Sequence, residues 1–107
     1  MNHQQHIPHI VNELKKASPE KIILFGSYAY GTPNNDSDID ILVIKNIGES
    51  EVRNFRVDLR MKLWDIIKKW NIPIDIIVDS QQRIDERIES GDQFYKEIFT
   101  KGNILYG

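Results

Sequence analysis

The chain has 107 residues, of which 40% are hydrophobic and 28% charged, and its formal net charge at pH 7 is −2. This length predicts a single domain spanning residues 1–107, and the composition excludes an intrinsically disordered chain. The small negative charge argues against binding to long duplex nucleic acid, and the lack of cysteine excludes disulfides and sulfur-ligated metals. No signal-peptide core and no membrane-spanning apolar run is present, so we expect a cytoplasmic protein without membrane contact.

The first half of the sequence predicts one helix and two strands. Apolar residues recur at helical spacing from about residue 8 to 17, and Ser18 with Pro19 then ends this helix. The short apolar run KIILF at 21–25 is typical of a buried strand. A stretch rich in turn residues follows, with room for one helical turn, and DIDILVI at 38–44 predicts a second strand with an acidic start.

The second half of the sequence predicts three helices and two further strands. In chain order, these elements are a long amphipathic helix over 51–70, a strand over 74–78, a polar helix up to Gly91, an amphipathic helix up to Gly102 and a strand over 104–106. Either Asp79 or Ser80 is suited to cap the polar helix. This order predicts an α+β fold in which helices cover a small mixed sheet.

Three aspartates occupy unusual positions on the second and third predicted strands. Asp38 and Asp40 face the same side, because side chains alternate along a strand. Asp75 stands in the apolar run IPIDIIV and meets the other two if the third strand lies beside the second. Clustered carboxylates repel one another unless a cation lies among them, and hard oxygen ligands suit magnesium or manganese. The three aspartates together predict a metal site, although each alone is also consistent with a solvent-exposed or ion-paired acid.

Gly26 and Ser27 follow the first predicted strand, where the chain turns sharply. A glycine here lets the backbone approach a ligand closely, and free N–H groups with a serine hydroxyl suit phosphate. Neither the phosphate loop GxxxxGK[ST] nor the dinucleotide fingerprint GxGxxG occurs in the sequence. The pair therefore indicates phosphate binding only in combination with the aspartates.

The sequence GSYAYGTPNNDSDID separates the Gly26–Ser27 pair from the DxD pair by ten residues. This pattern, with Asp75 on the next strand, resembles the signature of the DNA polymerase β nucleotidyltransferase superfamily, and the chain is most similar to its minimal nucleotidyltransferases. The resemblance implies the polymerase β catalytic-core fold. One departure is Tyr30, because many relatives carry arginine there. The basic partner of a triphosphate stays unassigned among Lys45, Arg53, Arg56, Arg60 and Lys62.

The same resemblance implies roles for the site residues. Gly26 and Ser27 would bind the triphosphate of a nucleotide. Asp38, Asp40 and Asp75 would be the catalytic residues and the ligands of two magnesium ions, with manganese as an alternative. The implied reaction moves a nucleoside monophosphate, AMP from ATP, to an acceptor hydroxyl and releases pyrophosphate.

The resemblance also implies a partner. Minimal nucleotidyltransferases are associated with helical proteins of the HEPN class, so the chain would be the antitoxin of a toxin–antitoxin system that attaches AMP to its partner on tyrosine. Two alternatives stay open, namely a small-molecule transferase of the aminoglycoside type and a non-catalytic antitoxin-like binding module. An oligomer is compatible with either.

Other aromatic and histidine residues give no separate site prediction. Trp64 and Trp70 recur at helical spacing, which is more typical of a core or an interface than of a base-stacking site. His3, His6 and His9 lie near a terminus, and Pro8 interrupts their spacing.

Overall fold

The computed structural model describes residues 3–34 and 36–107. Its elements, after a 3₁₀ turn at Gln4–His6, are the helices α1 (Ile7–Lys15), α2 (Ser27–Tyr30), α3 (Glu49–Trp70), α4 (Gln81–Glu89) and α5 (Gln93–Lys101), and the strands β1 (Lys21–Phe25), β2 (Ile39–Ile44), β3 (Ile74–Asp79) and β4 (Asn103–Tyr106). The predicted α+β fold is confirmed.

The four strands form one mixed sheet in the order β3-β2-β1-β4. β1 runs antiparallel to β2 and to β4, whereas β2 and β3 are parallel. The long helix α3 makes the crossover that a parallel pair requires. As a result, the amino ends of β2 and β3 lie beside the carboxyl end of β1 at one end of the sheet.

Both faces of the sheet are covered by apolar side chains. Ile39, Ile41 and Val43 of β2 face α1 and α3 and belong to the larger core cluster. Leu42 and Ile44 face the other way and pack in a second cluster with residues of α4 and α5. This double burial explains why β2 is almost continuously apolar after its acidic start.

Several predicted boundaries differ from the structure by one or two residues, and the structure also decides between the two predicted caps of α4. α1 ends at Lys15, two residues early, and Ser18 has a left-handed φ of 55° just beyond it. β2 begins at Ile39, so Asp38 lies just outside the strand; before it, the Ser37 N–H donates to the Asn34 carbonyl and the Ser37 hydroxyl accepts from the Asn34 N–H. Ser80 caps α4, with its hydroxyl accepting from the Arg83 N–H at 3.2 Å.

The helices in the described ranges include the 22-residue α3, which carries many charged residues. None of these helices is long and apolar enough to cross a membrane.

Candidate active site at the end of the sheet

The strand register brings Asp40 and Asp75 side by side. Asp40 pairs with Asp75 across the parallel β2–β3 ladder and with Phe25 across the antiparallel β1–β2 ladder. Neighbouring strands lie about 4.8 Å apart, and aligned residues point to the same face of a sheet. The two carboxylates therefore project together from the face that carries α4 and α5, next to the end of β1.

The electrostatics show that Asp38 belongs to the same cluster. The pKa of Asp40 is raised from 3.8 to about 6, first by burial and then by the negative charges of Asp75 and Asp38. Within residues 3–34 and 36–107, no lysine or arginine forms an ion pair with any of the three. The structure therefore does not support the alternative interpretation of Asp75 as an ion-paired acid.

A metal ion is a chemically suitable counter-charge for this cluster. In the described part of the chain, no group of three or more histidine, aspartate or glutamate side chains is arranged to hold a metal by itself. Magnesium, however, keeps several waters and takes its remaining ligands from substrate phosphates. The carboxylates of this cluster have no cationic partner and repel one another, so they suit a metal site that is completed by waters and substrate phosphates. Asp40 lies at the centre of this site.

Gly26 stands directly against Asp40. It has φ 73° and ψ −161°, a conformation that side-chain-bearing residues scarcely adopt. A Cβ atom at this position would overlap the Asp40 carboxylate. Only glycine therefore lets the end of β1 come this close to the acidic cluster.

Ser27 begins α2 immediately after this glycine. The Gly26 carbonyl accepts hydrogen bonds from the N–H groups of Ala29 and Tyr30, which fixes the turn. No described residue hydrogen-bonds the Ser27 hydroxyl, whereas Tyr28 is buried and its own hydroxyl accepts from the His3 N–H at 2.9 Å. The hydroxyl of Ser27 and the first N–H groups of the turn are thus available beside the cluster.

The basic residues considered from sequence do not converge on this site. Glu49, at the start of α3, pairs with Arg83, and Arg83 also contacts Asp79. Asp79 ends β3 four residues beyond Asp75, about 13 Å along the strand. The first turns of α3, which carry the Arg53 and Arg56 side chains, therefore lie toward the opposite end of the sheet.

Lys45 is also engaged elsewhere. Its ammonium group donates to the Ser18 carbonyl at 2.7 Å and lies over the Phe55 ring. Tyr30, the residue that replaces the arginine of many relatives, ends α2 and is 38% exposed. The structure thus brings the glycine–serine turn and the acidic cluster together, and no lysine or arginine of the described residues forms an ion pair with the cluster.

Two features were missed from sequence. Trp70, at the end of α3, was interpreted as a core or interface residue, but it is 43% exposed and lines a cavity that also borders Asp38. Asp79 was considered only as a helix cap, yet it is buried and accepts a hydrogen bond from the Tyr95 hydroxyl at 2.7 Å. The sequence signal for the exposed Trp70 was its position directly before Asn71, where helix α3 ends.

A mixed sheet whose end carries an acidic cluster beside a glycine–serine turn agrees with the nucleotidyltransferase class. The nucleotidyltransferase domain family matches residues 7–105 of the chain. The chain belongs to this family and is a nucleotidyltransferase.

The chain is also 35% identical over 109 residues to a protein of Methanocaldococcus jannaschii named "Putative protein adenylyltransferase". The similarity covers 99% of this chain and 100% of the relative. No solved structure matches the chain. The family and the relative both agree with the resemblance to minimal nucleotidyltransferases.

Proposed function

We propose that this enzyme transfers AMP from ATP to a hydroxyl group of a partner protein, with magnesium at the three aspartates and release of pyrophosphate. The observation that carries the proposal is the position of Asp40, which lies beside Asp75 while Gly26 closes on its carboxylate. A turn suited to phosphate lies against a cluster suited to a cation, and this combination supports phosphoryl-group chemistry.

Each residue has a distinct task in the proposed reaction. Asp38, Asp40 and Asp75 would hold two magnesium ions, which when bound lower the pKa of the attacking hydroxyl and neutralise the leaving pyrophosphate. The Gly26 turn and the Ser27 hydroxyl bind the β- and γ-phosphates.

The transfer itself exchanges one oxygen–phosphorus bond for another. The acceptor oxygen forms a bond to the α-phosphorus while the bond from that phosphorus to the bridging oxygen of pyrophosphate breaks. The hydroxyl proton passes to Asp75, which stands at the outer edge of the cluster on β3.

A protein acceptor is supported by the relative. The name of the M. jannaschii protein specifies a protein adenylyltransferase. From the resemblance, we propose that the partner is a HEPN-class toxin modified on tyrosine and that this protein is its cytoplasmic antitoxin.

Label transfer tests this function. The enzyme is incubated with magnesium and each of the four nucleoside triphosphates labelled at the α-phosphate, with and without the proposed HEPN-class partner. We expect label on the partner from ATP alone, and none with Asp38→Ala. Asp58→Ala, a change on the exposed side of α3, is the matched control and should retain activity.

The outcomes separate the alternatives. Label from γ-labelled rather than α-labelled ATP would indicate a kinase. Label on an aminoglycoside without any protein acceptor would indicate a small-molecule transferase. Neutralisation of the toxin by Asp38→Ala as efficiently as by the wild type would indicate a non-catalytic binding module.

A further inference from the structure

A cavity of about 430 Å³ opens beside Asp38. It lies between the segment that precedes β2 and the turn that precedes β3, two stretches that are neighbours because the strands are parallel. Its walls are formed mainly by His3, Asp36, Asp38, Trp70, Asn71 and Pro73. We call it the Trp70 cavity.

The indole of Trp70 is held in place although it is not part of the core. The buried His6 imidazole stacks on it with the ring centroids 4.5 Å apart and an angle of 29° between the planes. Burial and the nearby His3 and His9 lower the pKa of His6, which favours the neutral ring in this stack. Asn71 ends the helix directly afterwards in the left-handed conformation. A fixed, 43% exposed indole is suited to contact another flat ring.

The position of the cavity distinguishes the two substrates. The sheet order β3-β2-β1 places Gly26 and Ser27 on one side of β2 and the turn before β3 on the other. In phosphoryl transfer the attacking and leaving oxygens are roughly in line on opposite sides of the phosphorus. If the pyrophosphate leaves over Ser27, the acceptor approaches from the β3 side, where the Trp70 cavity lies.

The charge of one wall residue agrees with this assignment. Asp36 lines the cavity and has no proposed metal role, so its carboxylate repels the phosphates of a nucleotide. A neutral ring that carries a hydroxyl meets no such repulsion.

We propose that the Trp70 cavity is the acceptor subsite and takes an aromatic hydroxyl, with the ring against Trp70 and His3 and the oxygen directed past Asp38 into the acidic cluster. The assignment rests on the proposed function. Its chemistry is the transfer described above, with the phenolic oxygen forming the new bond to the α-phosphorus, pyrophosphate leaving and the phenolic proton passing to Asp75. Trp70 thereby becomes a specificity-determining residue for a tyrosine side chain over a serine or threonine.

Tryptophan fluorescence tests the cavity independently of turnover. The chain has two tryptophans, and Trp64 lies with Val57 and Met61 on the outer side of α3. Trp64→Phe therefore leaves Trp70 as the sole reporter, and Trp70→Phe leaves Trp64 as the control. N-acetyl-L-tyrosinamide is titrated against both variants with magnesium and a non-hydrolysable ATP analogue, under excitation selective for tryptophan.

We expect a saturable change in Trp70 emission, with no change in Trp64 emission and no response to N-acetyl-L-serinamide. An unresponsive Trp70 overturns the assignment. A full change produced by the ATP analogue alone also overturns it, because the nucleobase would then occupy the cavity.

Kinetics with the partner protein as acceptor give the second readout. Trp70→Ala should raise the KM for the acceptor about tenfold, the loss expected for one aromatic contact, with the KM for ATP unchanged. Trp70→Phe should restore the acceptor KM, and Trp64→Ala should leave both constants unchanged. A rise in the KM for ATP instead contradicts the proposal.

The two proposals fail in different ways. If the wild type labels no hydroxyl, the proposed function is wrong, and the fluorescence titration still decides whether the cavity binds a phenol ring. If the wild type labels the partner and Trp70→Ala does so with the same KM, only the acceptor subsite is wrong.

Discussion

Replacing Gly26 by alanine tests the close contact between the end of β1 and the acidic cluster. The backbone of Gly26, at φ 73° and ψ −161°, lies in a region where other residues incur about 1–3 kcal/mol of strain. The added Cβ also overlaps the Asp40 carboxylate, so that side chain or the strand must move. We expect the free energy of unfolding to fall by about 3 kcal/mol, which lowers the Tm of a domain of this size by roughly 12–24 °C.

Two comparisons separate the contact from the backbone strain. Gly31 also has a positive φ, 84°, but has no atom within 4 Å of an added Cβ, so Gly31→Ala should cost only about 1–2 kcal/mol. In an Asp40→Ala background, the overlap disappears and Gly26→Ala should cost about 1 kcal/mol less than in the wild type. Urea unfolding without metal measures all three differences. A cost for Gly26→Ala no larger than for Gly31→Ala, or unaffected by Asp40→Ala, would refute this reasoning.

The remaining predictions also concern buried or clustered carboxylates. The pKa of Asp40 is raised from 3.8 to about 6, so the folded protein favours the protonated carboxyl. In the absence of metal, this group therefore contributes its full share to the free energy of unfolding below pH 3.8, and the contribution is lost as the pH rises through about 6. After allowance for its solvent exposure, Asp40→Asn should stabilise the protein in EDTA by ~1 kcal/mol at pH 7.5 and hardly at pH 4, as urea unfolding can measure. The control Asp58→Asn, at an exposed position, should change the stability at neither pH. An equal gain in stability for Asp40→Asn at both pH values would contradict the raised pKa of Asp40. Tyr95→Phe removes the hydroxyl that donates to buried Asp79 and should cost about 1–3 kcal/mol by the same assay. Tyr106→Phe on β4 is its control, and equal losses would show that the Asp79 contact adds nothing.

The local patterns of the sequence were sufficient to predict the elements. The alternation of Ile39 and Ile41 with Asp40, and the isolated Asp75 in an apolar strand, show before any contact is known that each aspartate faces the opposite side of its strand from the neighbouring isoleucines. Helix ends were also visible, because Gly91 and Gly102 interrupt apolar periodicity. The α+β fold follows from these signals, because apolar periodicity and helix-ending glycines depend only on residues that are close together in the sequence.

Contacts between residues that are distant in the sequence determine the features that the sequence did not predict. The alignment of Asp40 with Asp75 depends on the parallel register of two strands separated by α3, and no local pattern specifies a register across a crossover. The burial of Asp79 required Tyr95, sixteen residues away, as its hydrogen-bond donor. Trp70 shares the periodicity of the core residues of α3, but the helix ends there, so its indole lies at the margin of the core and borders the cavity.

The most direct test of the central claim is the rate of transfer from α-labelled ATP to the partner protein by the wild type and by the single variants Asp38→Asn, Asp40→Asn and Asp75→Asn. We predict a loss of at least about 10³-fold for each aspartate, because all three act on the same reacting phosphate, whereas Ser27→Ala should mainly raise the KM for ATP. Full transfer by Asp40→Asn, with the fold intact, would contradict the assignment of this cluster as the active site.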